Sequence, residues 1–271
     1  DTIQFDIPDI DAKTIFVSDG GLPFITDPVI IDGTTQSGFD SANSHPIIEI
    51  DASGAGFNKI LFTAAGLEII AGKSIVQGLV IRGAPGNGIL LREGGFNTII
   101  GNLIGNFLTA DLADTTGNYG NTDAGIHILR SANNQIGGAT DAQRNVLSGN
   151  GAGVIISNGG STGNQVQGNW IGTDVTGTLG LGNRGSGVLV TALVGDTDYA
   201  SDNLIGGSLP GEGNVISDNE GNGVDVVRGA HNRIQGNLIG TRQDGITGLG
   251  NRLNGVEVLD APDTLIGGEK L

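Results

Sequence analysis

Apolar residues alternate with variable residues in a series of short segments along this chain. The clearest segments have the form Gly-Val-x-Val, in which two branched apolar residues flank one variable residue. An apolar residue at every second position is the period of a β-strand with one buried face, and no segment of ten residues carries the 3.6-residue period of a helix. The pattern therefore predicts short strands, at Gly88-Ile-Leu-Leu, Gly125-Ile-His-Ile, Gly153-Val-Ile-Ile, Gly187-Val-Leu-Val, Gly223-Val-Asp-Val and Gly255-Val-Glu-Val.

Two further patterns recur with the first and define an internal repeat. One has the form Asn-x-Ile-x-Gly and starts at positions 97, 134, 164, 203 and 232, with a variant at Asp263, so by subtraction the starts are 37, 30, 39, 29 and 31 residues apart. The other opens with Asn and two apolar residues. A repeat of about 30 residues with three short strands is typical of a β-solenoid. The second pattern opens at Asn102, Asn145, Asn169, Asn214 and Asn237.

Stacking such repeats predicts the architecture in some detail. Each strand pairs in parallel with its copy about 4.8 Å away in the next coil, and crossover connections between parallel strands are overwhelmingly right-handed. The recurring Asn residues lie at turns, where their amides can bond the amides above and below as ladders. We therefore expect one continuous domain, in which residues 1–46 form an N-terminal cap with the first strands and residues 47–271 form about eight or nine coils, open at the C-terminus.

The repeat resembles a known group, the right-handed parallel β-helix proteins of the pectate-lyase-like superfold. The likeness is carried by elements such as Gly168-Asn-Trp-Ile-Gly-Thr-Asp174 and Asn214-Val-Ile-Ser, and it runs from about residue 47 to the end. It is nearest to the Asn/Gly-rich type of large secreted bacterial surface proteins, which implies a secreted or cell-surface location. Because the superfold hosts lyases, hydrolases, epimerases and adhesins, it leaves the function open.

Composition and charge narrow the possible partners. The 271 residues include 50 Gly but no Cys or Met, and the formal net charge is −16. Such a charge repels phosphate backbones, so nucleic acid is not expected as a partner. No stretch approaches the roughly 20 apolar residues of a membrane span, so membrane insertion is not expected. The start at Asp1, without an initiator Met or leader, is expected for a processed or excised chain.

Candidate catalytic residues follow from the strand alternation, because the residue between two inward ones points outward. Asp225 and Glu257 fall on consecutive coils, which places their carboxylates near the separation of about 5 Å used by retaining glycosidases, and Arg228 lies just beyond the first. The alternative is that both are solvated residues of an acidic protein. The expected outward column is Glu49, Glu68, Leu90, His127, Ile155, Leu189, Asp225 and Glu257.

Loops rich in Asp, Asn and Thr are candidate calcium sites, because Ca²⁺ prefers oxygen ligands. The EF-hand spacing is absent, and Asp and Asn are also ordinary turn residues that bond their own backbone. Calcium is therefore one of two alternatives for these loops. The candidate ligands are Asp111, Asp114, Asp123, Asp174, Asp196, Asp198 and Asp202.

An apolar stripe is also expected on an outer face, formed by the residue after Asn in the second pattern. Exposed apolar stripes of this length are unusual, so the repeated loops or a lateral protein interface should cover it.

The sequence as a whole favours an extracellular structural or binding module, a rigid rod suited to adhesion or end-to-end assembly, with a polysaccharide or a second copy as partner. The alternative is a polysaccharide lyase, glycoside hydrolase or epimerase acting on an acidic glycan.

Overall fold

The strands of the protein are short and follow one another with few helical residues between them. A computed structural model describes residues 1–8, 13–18, 20–39, 46–56, 65–105, 120–192 and 198–267. Two 3₁₀ turns, Gly33–Thr35 and Asp141–Gln143, interrupt the strands. The strands are β1 (Thr2–Gln4), β2 (Lys13–Phe16), β3 (Ile30–Asp32), β4 (Ile48–Asp51), β5 (Ala65–Ile69), β6 (Ile75–Gln77), β7 (Leu79–Arg82), β8 (Asn87–Arg92), β9 (Thr98–Ile100), β10 (Leu103–Gly105), β11 (Ala124–Leu129), β12 (Gln135–Gly137), β13 (Val146–Ser148), β14 (Ala152–Ser157), β15 (Gln165–Gln167), β16 (Trp170–Ile171), β17 (Val188–Thr191), β18 (Leu204–Gly206), β19 (Val215–Ile216), β20 (Val224–Val227), β21 (Arg233–Gln235), β22 (Leu238–Ile239), β23 (Val256–Leu259) and β24 (Leu265–Ile266).

These strands form three parallel sheets that the chain visits in turn. Sheet A has the order β1-β3-β6-β9-β12-β15-β18-β21-β24, sheet B the order β2-β4-β7-β10-β13-β16-β19-β22, and sheet C the order β5-β8-β11-β14-β17-β20-β23. Each coil therefore adds one rung to every sheet, and β24 begins a ninth rung of sheet A. The fold is a right-handed parallel β-helix, as the repeat predicts.

The N-terminal residues join the same stack. β1 pairs with β3 in sheet A, and β2 pairs with β4 in sheet B. Ile25 forms a parallel bridge with Ile69, so the first coil also reaches the position of sheet C. The first strands thus lie in register with the coils that follow, and a capping role for residues 1–46 stays a prediction.

The interior is a continuous column of branched apolar side chains. Val154, Val188 and Val224 follow one another in register on sheet C, and each is fully buried. Ile136, Val166 and other inward residues of sheets A and B join them in one core cluster. Every rung packs against the rungs above and below, which explains how a chain with few aromatic residues fills its core.

Asparagine ladders close the corners between the sheets. At each step the backbone N–H and the Nδ2 of one Asn donate to the Oδ1 of the Asn in the next coil, as in Asn134 to Asn164 at 2.9 and 2.8 Å. The two predicted ladders are present, with Asn97, Asn134, Asn164, Asn203 and Asn232 before sheet A, and Asn102, Asn145, Asn169, Asn214 and Asn237 between sheets A and B. A third, between sheets B and C, was not anticipated and comprises Asn121, Asn150, Asn183, Asn219 and Asn251.

One alignment inferred from the sequence is wrong by a residue. The variant repeat was aligned on Asp263, but Arg233 pairs with Leu265, which places Thr264 opposite Asn232. Asp263 instead has a positive φ of 56°, as His231 does one coil earlier at 54°. Asp and Asn both occur at turns, which made Asp263 a plausible substitute. The sequence nevertheless held a signal for the correct alignment, because Leu-Ile-Gly-Gly follows Thr264 as it follows Asn203.

From β9 onward, long insertions alternate between two corners of the coil. Residues 138–145 and 207–214 lengthen the connection from sheet A to sheet B, and residues 172–187 and 240–255 lengthen the connection from sheet B to sheet C. In a coil that carries an insertion between sheets B and C, the connection from sheet A to sheet B has only two residues, Gly168-Asn169 or Gly236-Asn237. Rungs are only about 4.8 Å apart, so a folded loop needs the neighbouring coil to be short at the same corner.

Candidate functional site

The outer face of sheet C carries the predicted column, with one correction. Register pairs Leu90 with His127, Leu189 with Asp225, and Asp225 with Glu257, and the other predicted members from Glu68 onward fall in the same line. Glu49 is the exception, because it lies in sheet B opposite Val80. Residues 47–50 show the same alternation as the sheet C strands. The alternation therefore predicted correctly that Glu49 points outward, but the assignment of its strand to sheet C was wrong.

Asp225 and Glu257 occupy adjacent rungs at the C-terminal end of this column. Asn222 lies in the turn before β20, and its Nδ2 donates to Oε2 of Glu257 at 2.6 Å. The Asn254 side chain approaches the same oxygen at 3.5 Å, and Oγ of Ser186 lies 3.5 Å from Oδ2 of Asp225. Ser186 and Asn222 therefore each reach the carboxyl of the following coil, and Asn254 approaches the carboxyl of its own coil.

The two carboxyls have different environments. Asp225 is partly buried, whereas Glu257 is exposed. Burial raises the pKa of Asp225, and the Glu257 charge raises it further, against hydrogen bonds from Asn222 and Ser186 that lower it. Desolvation and a neighbouring like charge both favour the neutral form of a carboxyl group. Asp225 thus lies in a setting that raises its pKa.

Arg228 lies at the turn that follows β20, with a φ of 56°. Its backbone N–H donates to the carbonyl oxygen of Leu259 at 2.9 Å, which ties the turn to the next coil. Among the described residues its guanidinium forms no ion pair with Asp225 or Glu257. Arg228 thus follows the strand of Asp225, and a catalytic role for Asp225, Glu257 and Arg228 stays a prediction.

Further along sheet C, the polar residues are paired with one another. Glu68 is buried and forms an ion pair with Arg92 at 2.7 Å. Nε2 of His127 lies 2.8 Å from Oγ of Ser157, and burial lowers the His127 pKa to about 4. Ile155 and Leu189 lie between this histidine and Asp225 and are partly exposed.

Asp174, a candidate calcium ligand, is used by its own loop. It is buried, and its Oδ1 accepts the backbone N–H groups of Thr178 and Leu179, each at 3.0 Å. Its Oδ2 accepts the hydroxyl of Thr176 at 2.6 Å. These bonds hold the loop as a small hairpin, in which Thr173 pairs with Gly180. This arrangement is the turn alternative that the sequence left open.

The other candidate metal ligands are dispersed. All three of the described ones that remain are exposed: Asp123 precedes β11, and Asp198 and Asp202 lie in the connection between β17 and β18. Asp111, Asp114 and Asp196 lie outside the described residues. In the part of the chain that the structure describes, no group of three or more His, Asp or Glu side chains could hold a metal ion. Calcium binding therefore stays a prediction, without a site among the described carboxylates.

The apolar stripe lies on the outer face of sheet B, and the loops cover part of it. Val80, Leu103 and Val146 form a buried cluster, against which Trp170, Val175 and Leu181 pack. The Arg144 guanidinium lies 4.2 Å from the centre of the Trp170 ring. Two other apolar residues of the repeated loops face solvent, since Leu179 is 53% and Ile246 87% exposed.

Sequence reasoning missed two features of the sheet C face. It did not identify Asn222 beside the carboxyls or Ser157 beside His127. Asn222 had a detectable signal, because it occupies the same position before its strand that Ser186 and Asn254 occupy in the adjacent coils. The partner of His127 had none, since pairing one rung away depends on the exact register of two coils.

No helix among the described residues is long and apolar enough to cross a membrane.

Comparison with known proteins gives structural likenesses only. No family model matches the chain, and no curated protein matches it. Among solved structures, the mannuronan C-5 epimerase AlgE4 A-module of Azotobacter vinelandii is 14% identical, with a TM-score of 0.41 over 96% of this chain and 75% of that one. The periplasmic alginate epimerase AlgG is 13% identical, with a TM-score of 0.42 over 94% and 66%. The catalytic domain of a GH87 alpha-1,3-glucanase in complex with nigerose is 12% identical, with a TM-score of 0.35 over 95% and 60%.

Proposed function

We propose that this β-helix is a polysaccharide-active enzyme that holds a glycan along the outer face of sheet C and hydrolyses it with Asp225 and Glu257. One observation carries the proposal: two carboxyls stand in register on adjacent rungs, and one of them, Asp225, is in a setting that raises its pKa. Pairs of carboxyls with divergent proton affinities are the usual acid and base of glycoside hydrolysis.

The chemistry assigned to each residue follows from the raised pKa of Asp225. Asp225 as the acid gives its proton to the glycosidic oxygen while the bond from that oxygen to the anomeric carbon breaks. Glu257 as the nucleophile bonds to the anomeric carbon, and water then cleaves this ester while Asp225 takes back a proton. Adjacent rungs are about 4.8 Å apart, near the separation of about 5–5.5 Å that favours this retaining course over direct attack by water.

The charge of the protein favours a neutral glycan over an acidic one. The net charge is −16, and Arg92, on the same face, is already paired with the buried Glu68. A uronate polymer would have to approach an acidic surface with little compensating positive charge, which slows association and weakens binding. The substrate is a polymer too large to enter a cell, so the proposal includes a secreted or cell-surface location.

A second function, a structural or binding rod without catalysis, is favoured by one specific observation. The centre of the outward column is Ile155 and Leu189, which cannot contribute acid, base or charge to a cleft. The Asn ladders would make such a rod stiff. In this case the glycan, or a second copy of the chain, would bind along the coils without being cleaved.

The two functions separate in one experiment. The protein is incubated with neutral and acidic polysaccharides, and new reducing ends and retention on each glycan are measured for wild type, Asp225→Asn and Glu257→Gln. The enzyme proposal expects cleavage of a neutral glycan that both variants lose, with binding retained. Binding without cleavage in all three proteins would favour the rod, and cleavage that survives both substitutions would refute the assignment of the carboxyls.

A further inference from the structure

A cavity of about 330 Å³ lies at the corner between sheets B and C, and we call it the corner recess. The connection from β19 to β20 at this corner, residues 217–223, is short, whereas the connections one coil earlier and one coil later, residues 172–187 and 240–255, are long. The two long connections therefore form walls on either side of the short one. The recess is lined by Gly182, Asp218, Asn219, Glu220, Gly250 and Arg252.

Asp218 stands in the corner recess at a position that is glycine in the other coils. Its φ is 61°, and Gly149 has a φ of 69° at the same position of the other short connection, between β13 and β14. A positive φ favours glycine, so an aspartate here is a backbone cost that brings a carboxylate to the recess. The residue before each Asn of this ladder is Gly120, Gly149, Gly182, Asp218 or Gly250.

The Asp218 carboxyl is anchored to one wall and open toward the recess. Its Oδ2 accepts the backbone N–H of Gly182 at 3.3 Å, and its own N–H donates to the carbonyl oxygen of Leu249 at 3.3 Å. Oδ1 accepts no hydrogen bond from a described residue, and the side chain is partly exposed. One carboxylate oxygen is therefore positioned by the fold and left for a ligand.

Arg252 occupies the same repeat position as Arg184, but its guanidinium has different surroundings. Nη2 of Arg184 donates to the carbonyl oxygens of Asn121 and Thr122 at 3.2 and 3.1 Å. The backbone N–H of Arg252 donates to the carbonyl oxygen of Asn219 at 2.8 Å, which ties the residue to the corner. Its guanidinium forms no hydrogen bond or ion pair with any residue that the structure describes. The recess thus holds a positioned donor as well as acceptors.

Gly250 keeps the corner recess open on the side of the later connection. A Cβ added there would have no atom within 4 Å, whereas a Cβ on Gly182, its copy in the other wall, would overlap the carbonyl oxygen of Asp218. The φ of Gly250 is not in the left-handed region. Neither packing nor backbone conformation therefore requires glycine at this position, and a larger side chain would fill the recess.

The lining of the recess suits a neutral sugar unit. The carboxylates of Asp218 and Glu220 accept hydrogen bonds from hydroxyl groups, and the Arg252 guanidinium donates to them. The volume is at the lower end of the range of roughly 300–1,000 Å³ for small-molecule sites, which matches one sugar ring. One more carboxylate than guanidinium disfavours a uronate or another anion, and the guanidinium in the wall disfavours a metal ion.

We propose that the corner recess is a subsite that binds one neutral sugar unit of the glycan on sheet C, through Asp218, Glu220 and Arg252. Asp225 follows Glu220 by five residues, so their Cα atoms are at most about 17 Å apart, a distance that a short oligosaccharide spans. The inference rests on the proposed function for the kind of ligand, but binding in the recess does not require cleavage.

The test is a calorimetric titration of the whole chain with neutral hexasaccharides of glucose, mannose and xylose, in the Glu257→Gln background so that the ligand stays intact. Three recess variants are compared: Asp218→Gly, which copies Gly149 of the other short connection, Arg252→Ala, and Gly250→Leu, which fills the space and keeps every charge. Each should raise the Kd of the hexasaccharide that binds by about tenfold or more, because a hydrogen bond to a charged group or the space for the ring is lost.

Asp263→Gly is the matched control, since Asp263 is also an aspartate with a positive φ, at 56°, and it lies outside the recess. It should leave the Kd unchanged. Thermal melts establish that each variant is folded before its titration is interpreted. A Kd that stays as in the background protein in all three recess variants would overturn the inference, as would an equal loss in Asp263→Gly or a protein that binds none of the hexasaccharides.

Cleavage assays in the wild-type background separate this inference from the proposed function. In an active enzyme the recess substitutions should raise KM about tenfold and change kcat much less, because they remove binding that the ground state and the transition state share. A protein that cleaves no glycan, but whose hexasaccharide binding depends on the recess, would refute the function and retain the subsite. An active enzyme with unchanged Kd and KM in all three variants would do the reverse.

Discussion

The carbonyl oxygen of Gly138 occupies the space that a Cβ on Gly168 would take. Gly138 opens the insertion 138–145 of one coil, and Gly168 closes the same corner in the next coil, with a φ of 65°. On the opposite side, a Cβ there would lie 2.8 Å from the carbonyl oxygen of Gly211, which belongs to the insertion of the following coil. The corner at Gly168 is therefore enclosed by two loops.

Gly168→Ala is expected to destabilise the protein by about 2–4 kcal/mol, because the residue needs a positive φ and the added carbon meets backbone on both sides. Chemical denaturation followed by circular dichroism measures the change. Gly248→Ala is the matched control, since a Cβ at Gly248 has open space around it. Equal losses in the two variants would show that loop packing does not enclose the corner.

The Asn ladders predict a dependence on position within the stack. Nδ2 of Asn169 lies in the buried interior of its ladder and donates to Oδ1 of Asn214 at 3.0 Å and to the carbonyl oxygen of Ile136 at 2.9 Å. Asn169→Ala should cost about 2–4 kcal/mol, because it leaves buried backbone groups without partners. Asn237→Ala, at the partly exposed end of the same ladder, should cost less. Urea melts of both variants measure the difference, and a larger loss at Asn237 would contradict the ladder as a source of stability.

His127 predicts a loss of stability in mild acid. Burial lowers its pKa from 6.5 to about 4, so between these values the unfolded chain binds a proton that the folded chain does not. The free energy of unfolding should therefore be complete above pH 6.5 and fall as the pH drops toward 4, by up to about 3 kcal/mol. His127→Gln should flatten this part of the profile. A profile that is the same in wild type and His127→Gln would count against a neutral imidazole in the folded protein.

Chelation tests the calcium hypothesis directly. The Asp174 carboxylate already accepts bonds from its own loop, so we expect the melting temperature to be the same with and without a chelator. Asp174→Ala should by contrast lower it, because the backbone N–H groups of Thr178 and Leu179 lose their acceptor. A drop on chelation in wild type would restore calcium as a ligand of this protein, and added Ca²⁺ should then reverse it.

Much of the candidate site could be predicted from sequence, because strands of period two fix which residue points outward. That rule placed Asp225 and Glu257 on adjacent rungs and His127 three rungs before Asp225. It failed for Glu49, since three sheets share the same period and the length of the preceding connection decides which sheet a strand joins. It also gave no account of Asn222, whose contact with Glu257 runs between a turn and the next coil.

The sequence by itself determined the parallel β-helix, its core column and two of its Asn ladders, because each depends on a repeated local pattern that is read identically in every coil. Tertiary structure decided the rest. Three features depend on the neighbouring coil, which is about 4.8 Å away in the stack but some thirty residues away along the chain. They are the different burial of Asp225 and Glu257, the lowered pKa of His127 and the need for glycine at position 168. Burial and hydrogen bonding between neighbours so distant in sequence are set by the exact register of the coils.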